Sequence, residues 1–96
     1  MADISIAHKH GLTLDEAKTK TESIVDDVLA DFPSLIDKIN WNGDKTRADL
    51  KGKGFSGLFA VTDEAMKIDI DLKFFAKPFK SKVEEKIQNR IEKYFG

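Results

Sequence analysis

Cysteine is absent from this chain of 96 residues, which excludes a disulfide framework, a thiolate nucleophile and a cysteine zinc site, and fits a reducing cytoplasm. Long apolar runs are missing too. The first thirty residues hold no block of signal-peptide length, and no stretch approaches the roughly 20 apolar residues that a spanning helix needs. We therefore expect no transmembrane segment and a cytoplasmic location. Proline occurs only at Pro33 and Pro78, beside the helical patterns rather than inside them. An excess of charge of one sign is also lacking, since the net charge is -1. A nucleic-acid binder would need a basic surface interleaved with aromatics, whereas the aromatics here fall largely on core-facing positions, so no nucleic-acid partner is expected.

What is present is the balance of a globular protein, 41% hydrophobic and 34% charged residues, in a length suited to one domain over residues 1–96 with a single modest core. The charges are segregated. Residues 1–37 carry three Lys against eight Asp and Glu, whereas residues 73–96 carry seven Lys and Arg against three Glu. Such polarity lets the ends attract each other within one molecule, or turns the basic end toward an anionic surface.

Hydrophobic periodicity supplies the elements. Ile4 and Ile6 alternate with polar neighbours, a short first strand ending near His8. Thr13 and Glu16 have capping-box spacing, so a helix starts there. Behind them Leu14, Ala17, Thr21, Ile24, Val25, Val28 and Phe32 form one stripe, which Pro33 stops. From Ile39 the period changes to two, and Asn42, Gly43 and Asp44 offer turn chemistry between Trp41 and the strand of Ala48 and Leu50. Gly52 to Gly54 breaks that strand. Phe55, Gly57, Phe59 and Val61 share a face of the next, and Thr62 to Ala65 turns the chain again. Met66, Ile68, Ile70 and Leu72 then alternate with Lys67, Asp69, Asp71 and Lys73, a strand with one wet face. After Pro78, Phe79, Val83, Ile87, Ile91 and Tyr94 or Phe95 mark a second helical stripe. The order is β-α-β-β-β-β-α. An α+β, two-layer fold follows, with an antiparallel sheet of four to five strands and both amphipathic helices packed on one face.

Most candidate chemical sites in the sequence have structural readings. Gly52, Gly54 and Gly57 match G-x-G-x-x-G, but a strand follows them where a dinucleotide site needs a helix, so they read as a hairpin turn. His8 and His10 point the same way on a strand yet have no evident third metal ligand, so no metal or other cofactor is expected. Asp69 with Asp71, and Asp26 with Asp27, are paired carboxylates without the contrasting environments that acid–base catalysis needs. Ser56 and Ser81 lack a histidine partner. No catalytic residue is expected, and the protein reads as a non-enzyme.

One surface candidate stands out: Lys73, Phe74, Phe75, Lys77, Phe79, Lys80 and Lys82, in the segment K-F-F-A-K-P-F-K-S-K. Phe74 and Phe75 are adjacent, so on a continuing strand they would point to opposite faces. Either one ring stands in water among the lysines, or both seal the core edge where strand hands over to helix. An exposed ring amid lysines suits an apolar surface that carries anionic groups.

I-S-I at 4–6, H-G-L at 10–12, E-A at 16–17, W-N-G-D at 41–44, G-F-S-G at 54–57 and I-D-I-D-L at 68–72, ahead of a final helix, together resemble the polyhydroxyalkanoic acid system family. The likeness runs nearly the full length. The Lys- and Phe-rich segment before the last helix departs from the leucine-rich segment of the family. What the resemblance implies is a bacterial, non-enzymatic, granule-associated or regulatory role, with the polyester granule surface or a granule protein as partner. Two further classes stay open: a small apolar-ligand carrier of helix-grip type, and an oligomeric adaptor or homo-oligomer using a sheet edge or helix stripe.

Overall fold

Two backbone amides that open the first helix are satisfied by the side chains of Thr13 and Glu16. The Glu16 amide donates to Thr13 Oγ1 at 3.2 Å and the Thr13 amide to Glu16 Oε1 at 3.4 Å, completing the capping box. In the computed structural model, which describes residues 2–95, this helix, α1, runs Leu14–Asp31. It turns Ala17, Thr21, Ile24, Val25 and Val28 inward. The one polar member of that stripe, Thr21, donates its hydroxyl to the Ala17 carbonyl at 2.8 Å, so its burial leaves no orphan. Leu14, expected at the head of the stripe, is 36% exposed, and coverage of the helix begins at Ala17. Phe32 caps the end, its amide donating to the Val28 carbonyl, and Pro33 follows.

Five strands build one sheet: β1 Ile4–Lys9, β2 Lys38–Trp41, β3 Arg47–Gly52, β4 Phe55–Val61 and β5 Ala65–Leu72. The spatial order is β1-β5-β4-β3-β2, antiparallel throughout. β1 and β2 are thus the two edges although consecutive in sequence. α1 connects them. Its 18 residues span about 27 Å, enough to cross a five-strand sheet roughly 19 Å wide. A short 3₁₀ turn, Lys77–Phe79, leads into the second helix, α2, Lys80–Phe95.

Register places the apolar alternation on one face. Ile6, Ile68, Phe59, Ala48 and Trp41 form one continuous cross-strand row, and Ile4, Ile70, Gly57, Leu50 and Ile39 form the next. Both helices cover these rows, α2 through Val83, Ile87 and Ile91. Ile24, Val25, Val28, Phe59, Ile68, Ile70, Val83 and Ile87 retain no accessible surface, so no water-sized hollow separates helices from sheet along them. Burying the Phe59 ring alone is worth about 2–3 kcal/mol. The opposite face carries Ser5, Asp69, Leu58, Asp49 and Asn40 in one row and faces solvent.

Two turns differ in detail from the sequence expectation. Asn42-Gly43-Asp44 does turn the chain, but the left-handed residue is Lys45 at φ 59°. The Asn42 side-chain oxygen accepts the Thr46 and Arg47 amides at 2.9 and 3.0 Å, which lengthens the loop to five residues and moves the positive φ to its end. Phe79, placed by periodicity at the head of the second stripe, lies in the 3₁₀ turn and is 50% exposed, so the buried stripe begins at Val83.

The opposed charges of the chain ends meet within the molecule. Arg90 of α2 donates to both Asp31 oxygens of α1, at 3.0 and 3.1 Å through Nη2, and Tyr94 donates its hydroxyl to Asp27 at 2.7 Å. The Asp31 hydrogen bonds push the Arg90 pKa upward.

Candidate functional site

β5 delivers Lys73 to a turn rather than continuing as a strand. The Lys73 amide donates to the Gly54 carbonyl at 3.0 Å, and the Ala76 and Lys77 amides return to the Lys73 carbonyl at 2.8 and 3.1 Å. Ala76 is 1% exposed and anchors the turn in the core. With the chain turning here, neither neighbouring ring has to enter the sheet. Phe74 is 83% exposed and Phe75 53% exposed, their rings meeting edge to face at 5.8 Å. Of the two alternatives, exposure among lysines therefore holds, and for both rings. Phe75 lies over Gly54: a Cβ there would come within 2.8 Å of its ring.

All seven residues expected to form this surface are exposed, and Lys77 has a further role. Lys77 is committed to Asp3, whose Oδ1 it meets at 2.9 Å while Asp3 Oδ2 accepts the Leu72 amide at 2.7 Å. These contacts, the Leu72 amide first, hold the Asp3 carboxyl below its ordinary pKa. Lys77 thus staples the N-terminal strand to the turn. Lys73, Lys80 and Lys82 are exposed, and among the described residues none has a carboxylate within ion-pairing distance. Lys80 and Lys82 stand in the first turn of α2, which contains no acidic residue. Positive charge there opposes the helix dipole by a few tenths of a kcal/mol, a cost that an anion nearby would relieve.

Beside the turn lies an open groove of about 540 Å³ that sequence reasoning missed. Lys38, Lys51, Lys53 and Lys73 line it with Asp37, the Gly52–Gly54 backbone and the Phe75 ring. The signal was the spacing K-G-K-G at 51–54, which becomes informative only once the β2–β3 register sets Lys38 directly opposite Lys51.

The remaining candidates have structural duties. His10 Nδ1 accepts the Leu12 amide at 2.9 Å, Nε2 faces the Thr62 carbonyl at 2.7 Å, and the ring stacks on Phe95 at 6.0 Å. Of the two positions expected for it, strand end or surface, it takes the strand end, directly after β1, and is buried with both nitrogens engaged. The His8 ring also meets Phe95, at 5.5 Å between centroids. Asp69 accepts the Ser5 hydroxyl on the solvent face, and Asp27 serves Tyr94 while Asp26 is exposed. Lys53 and Gly54 form a two-residue hairpin turn between the paired Gly52 and Phe55, with Gly54 at φ 80°. Among the described residues no helix is long and apolar enough to cross a membrane.

No curated protein and no solved structure shows significant similarity to this chain. A family model described as "Putative polyhydroxyalkanoic acid system protein" matches residues 4–95, taking in every strand and both helices. The chain belongs to the polyhydroxyalkanoic acid system protein family.

Proposed function

We propose that this protein is a non-enzymatic surface binder of the polyhydroxyalkanoate storage system, attaching to the polyester granule through the turn from Lys73 to Lys82. The observation that carries the reading is the exposure of Phe74, Phe75 and Phe79 within one six-residue stretch, at 83%, 53% and 50%. Among the described residues the one other large hydrophobic side chain so exposed is Leu14. Scaled by those exposures, transfer of the three rings to an apolar phase is worth about 3–5 kcal/mol before the cost of association. Lys73, Lys80 and Lys82 frame the rings and can rest their stems on an apolar surface while their ammonium groups stay in water. Phenyl rings carry no acid, base or nucleophile, and Lys73, Lys80 and Lys82 are exposed rather than set in a desolvated pocket that would activate an amine, which is why we read attachment rather than catalysis here. The carrier alternative has less support, because side chains fill the space between helices and sheet where a ligand would lie.

Co-sedimentation with bare polyhydroxyalkanoate beads tests the proposal. The wild-type protein is expected in the pellet, and Phe74→Ser with Phe79→Ser is expected to keep the wild-type melting temperature while shifting most of the protein to the supernatant. Equal partitioning of the folded variant and the wild type would reject attachment through this turn.

A further inference from the structure

Four lysines converge on the groove beside Phe75: Lys38 opens β2, Lys51 is the penultimate residue of β3, Lys53 occupies the hairpin turn that follows and Lys73 follows β5. Two backbone contacts force the convergence. The Asp37 amide donates to the Lys51 carbonyl at 2.8 Å, and the Lys73 amide to the Gly54 carbonyl at 3.0 Å. Lys38 and Lys51 are direct cross-strand partners, and like charges so placed repel. The single carboxylate in the lining is Asp37, so the groove carries an excess of three positive charges. Among the described residues none of the four lysines has a carboxylate within 4.0 Å, whereas Lys45, Lys77 and Arg90 do.

We propose that this groove is the binding site for the phosphate headgroup of an anionic lipid at the surface to which the turn attaches. The proposal rests on the attachment reading above and adds the chemistry of the partner. Charge complementarity identifies an anion. The apolar wall identifies its source: Phe75 both lines the groove and lies 5.8 Å, centroid to centroid, from the exposed Phe74 ring. A free phosphate has no use for adjacent phenyl groups, while a lipid presents its headgroup and the start of its acyl chains to both. With the headgroup held by Lys38, Lys51, Lys53 and Lys73, the rings of Phe74 and Phe75 reach the boundary between headgroup and acyl chain, where amphipathic binders settle. The anion also relieves the Lys38–Lys51 repulsion, so the groove is better occupied than empty.

The test compares three surfaces: bare polyhydroxyalkanoate beads, vesicles of phosphatidylcholine alone, and vesicles of phosphatidylcholine with phosphatidylglycerol. The wild type should prefer the phosphatidylglycerol vesicles to the neutral ones. Lys51→Gln with Lys53→Gln should weaken binding to them about 25-fold, roughly fivefold for each lysine near an anionic surface, and leave binding to bare beads unchanged. The variant remains folded, because Lys51→Gln removes a repulsive pair, and a melting temperature at or above wild type verifies this. Equal affinity of variant and wild type for phosphatidylglycerol vesicles overturns the proposal. So does release of the protein from those vesicles by inorganic phosphate at matched ionic strength, since that makes a free anion the ligand. Failure of the bead binding, by contrast, rejects attachment through the phenyl rings and is read on a surface that carries no phosphate.

Discussion

Gly52→Ala should destabilise this protein although alanine is the better residue for an ordered chain. In the unfolded state the change restricts the backbone, which alone favours folding by about 0.4–1 kcal/mol. The folded state decides the sign. A Cβ on Gly52 would lie 1.8 Å from the Leu35 carbonyl oxygen, 2.6 Å from its carbon and 2.7 Å from Ile36 Cα, all backbone atoms, where ordinary contact starts at 3.4 Å. The loop that follows α1 must therefore withdraw by about 1.6 Å. That movement breaks the hydrogen bond from the Asp37 amide to the Lys51 carbonyl at 2.8 Å, at a cost of about 1 kcal/mol. It also loosens Ile36, which is 6% exposed, for another 1–2 kcal/mol or so, with residual strain of about 1 kcal/mol. The net loss is about 2–4 kcal/mol, or about 10–25 °C in melting temperature for a domain of this size. Thermal unfolding followed by circular dichroism measures the first quantity, and hydrogen exchange at the Asp37 amide localises it. A melting temperature at or above wild type, with the Asp37 amide still protected, would refute the close approach of loop and strand. The same substitution displaces Lys38 and Lys51 and should weaken binding to phosphatidylglycerol vesicles.

Two further outcomes are expected. Thr13→Ala removes the side chain that accepts the Glu16 amide and should cost about 1 kcal/mol, read as a lower urea midpoint with an unchanged slope. For Asp3, whose carboxyl is held below the ordinary aspartate value of 3.8 by the Leu72 amide and Lys77, the folded state favours the charged form. Its contribution is then fully present above pH 3.8 and is lost as the pH falls through the lower folded value. Protection of the Leu72 amide, its exchange relative to the free-peptide rate at the same pH, should fall in that acid window, and Asp3→Asn should lower it at neutral pH too.

Local chemistry made much of this architecture legible. The capping pair Thr13 and Glu16, the stop at Pro33, and the alternation from Met66 to Leu72 each depend on residues close in sequence, and each stands as read. Leu14 and Phe79 were misplaced because periodicity tells which side of a helix is apolar but not where its cover begins and ends. Lys45 took the left-handed position that Gly43 was available for, because the Asn42 side chain reached forward to the Thr46 and Arg47 amides. The exposed rings were half legible: on a continuing strand adjacency would put Phe74 and Phe75 on opposite faces, but it took the turn closed on the Lys73 carbonyl to expose both.

The order of elements and the apolar face of each followed from the residues alone, because amphipathic spacing and caps act over a few positions of chain. Which strands became edges, and so which lysines met, depended on how far α1 could carry the chain across the sheet. Lys38, Lys51, Lys53 and Lys73 are spread over 36 positions of sequence, and only the cross-strand register and the turn after β5 gather them around Phe75. That gathering is a property of long-range pairing, whose free energy comes from the buried rows of the opposite sheet face and not from the lysines themselves.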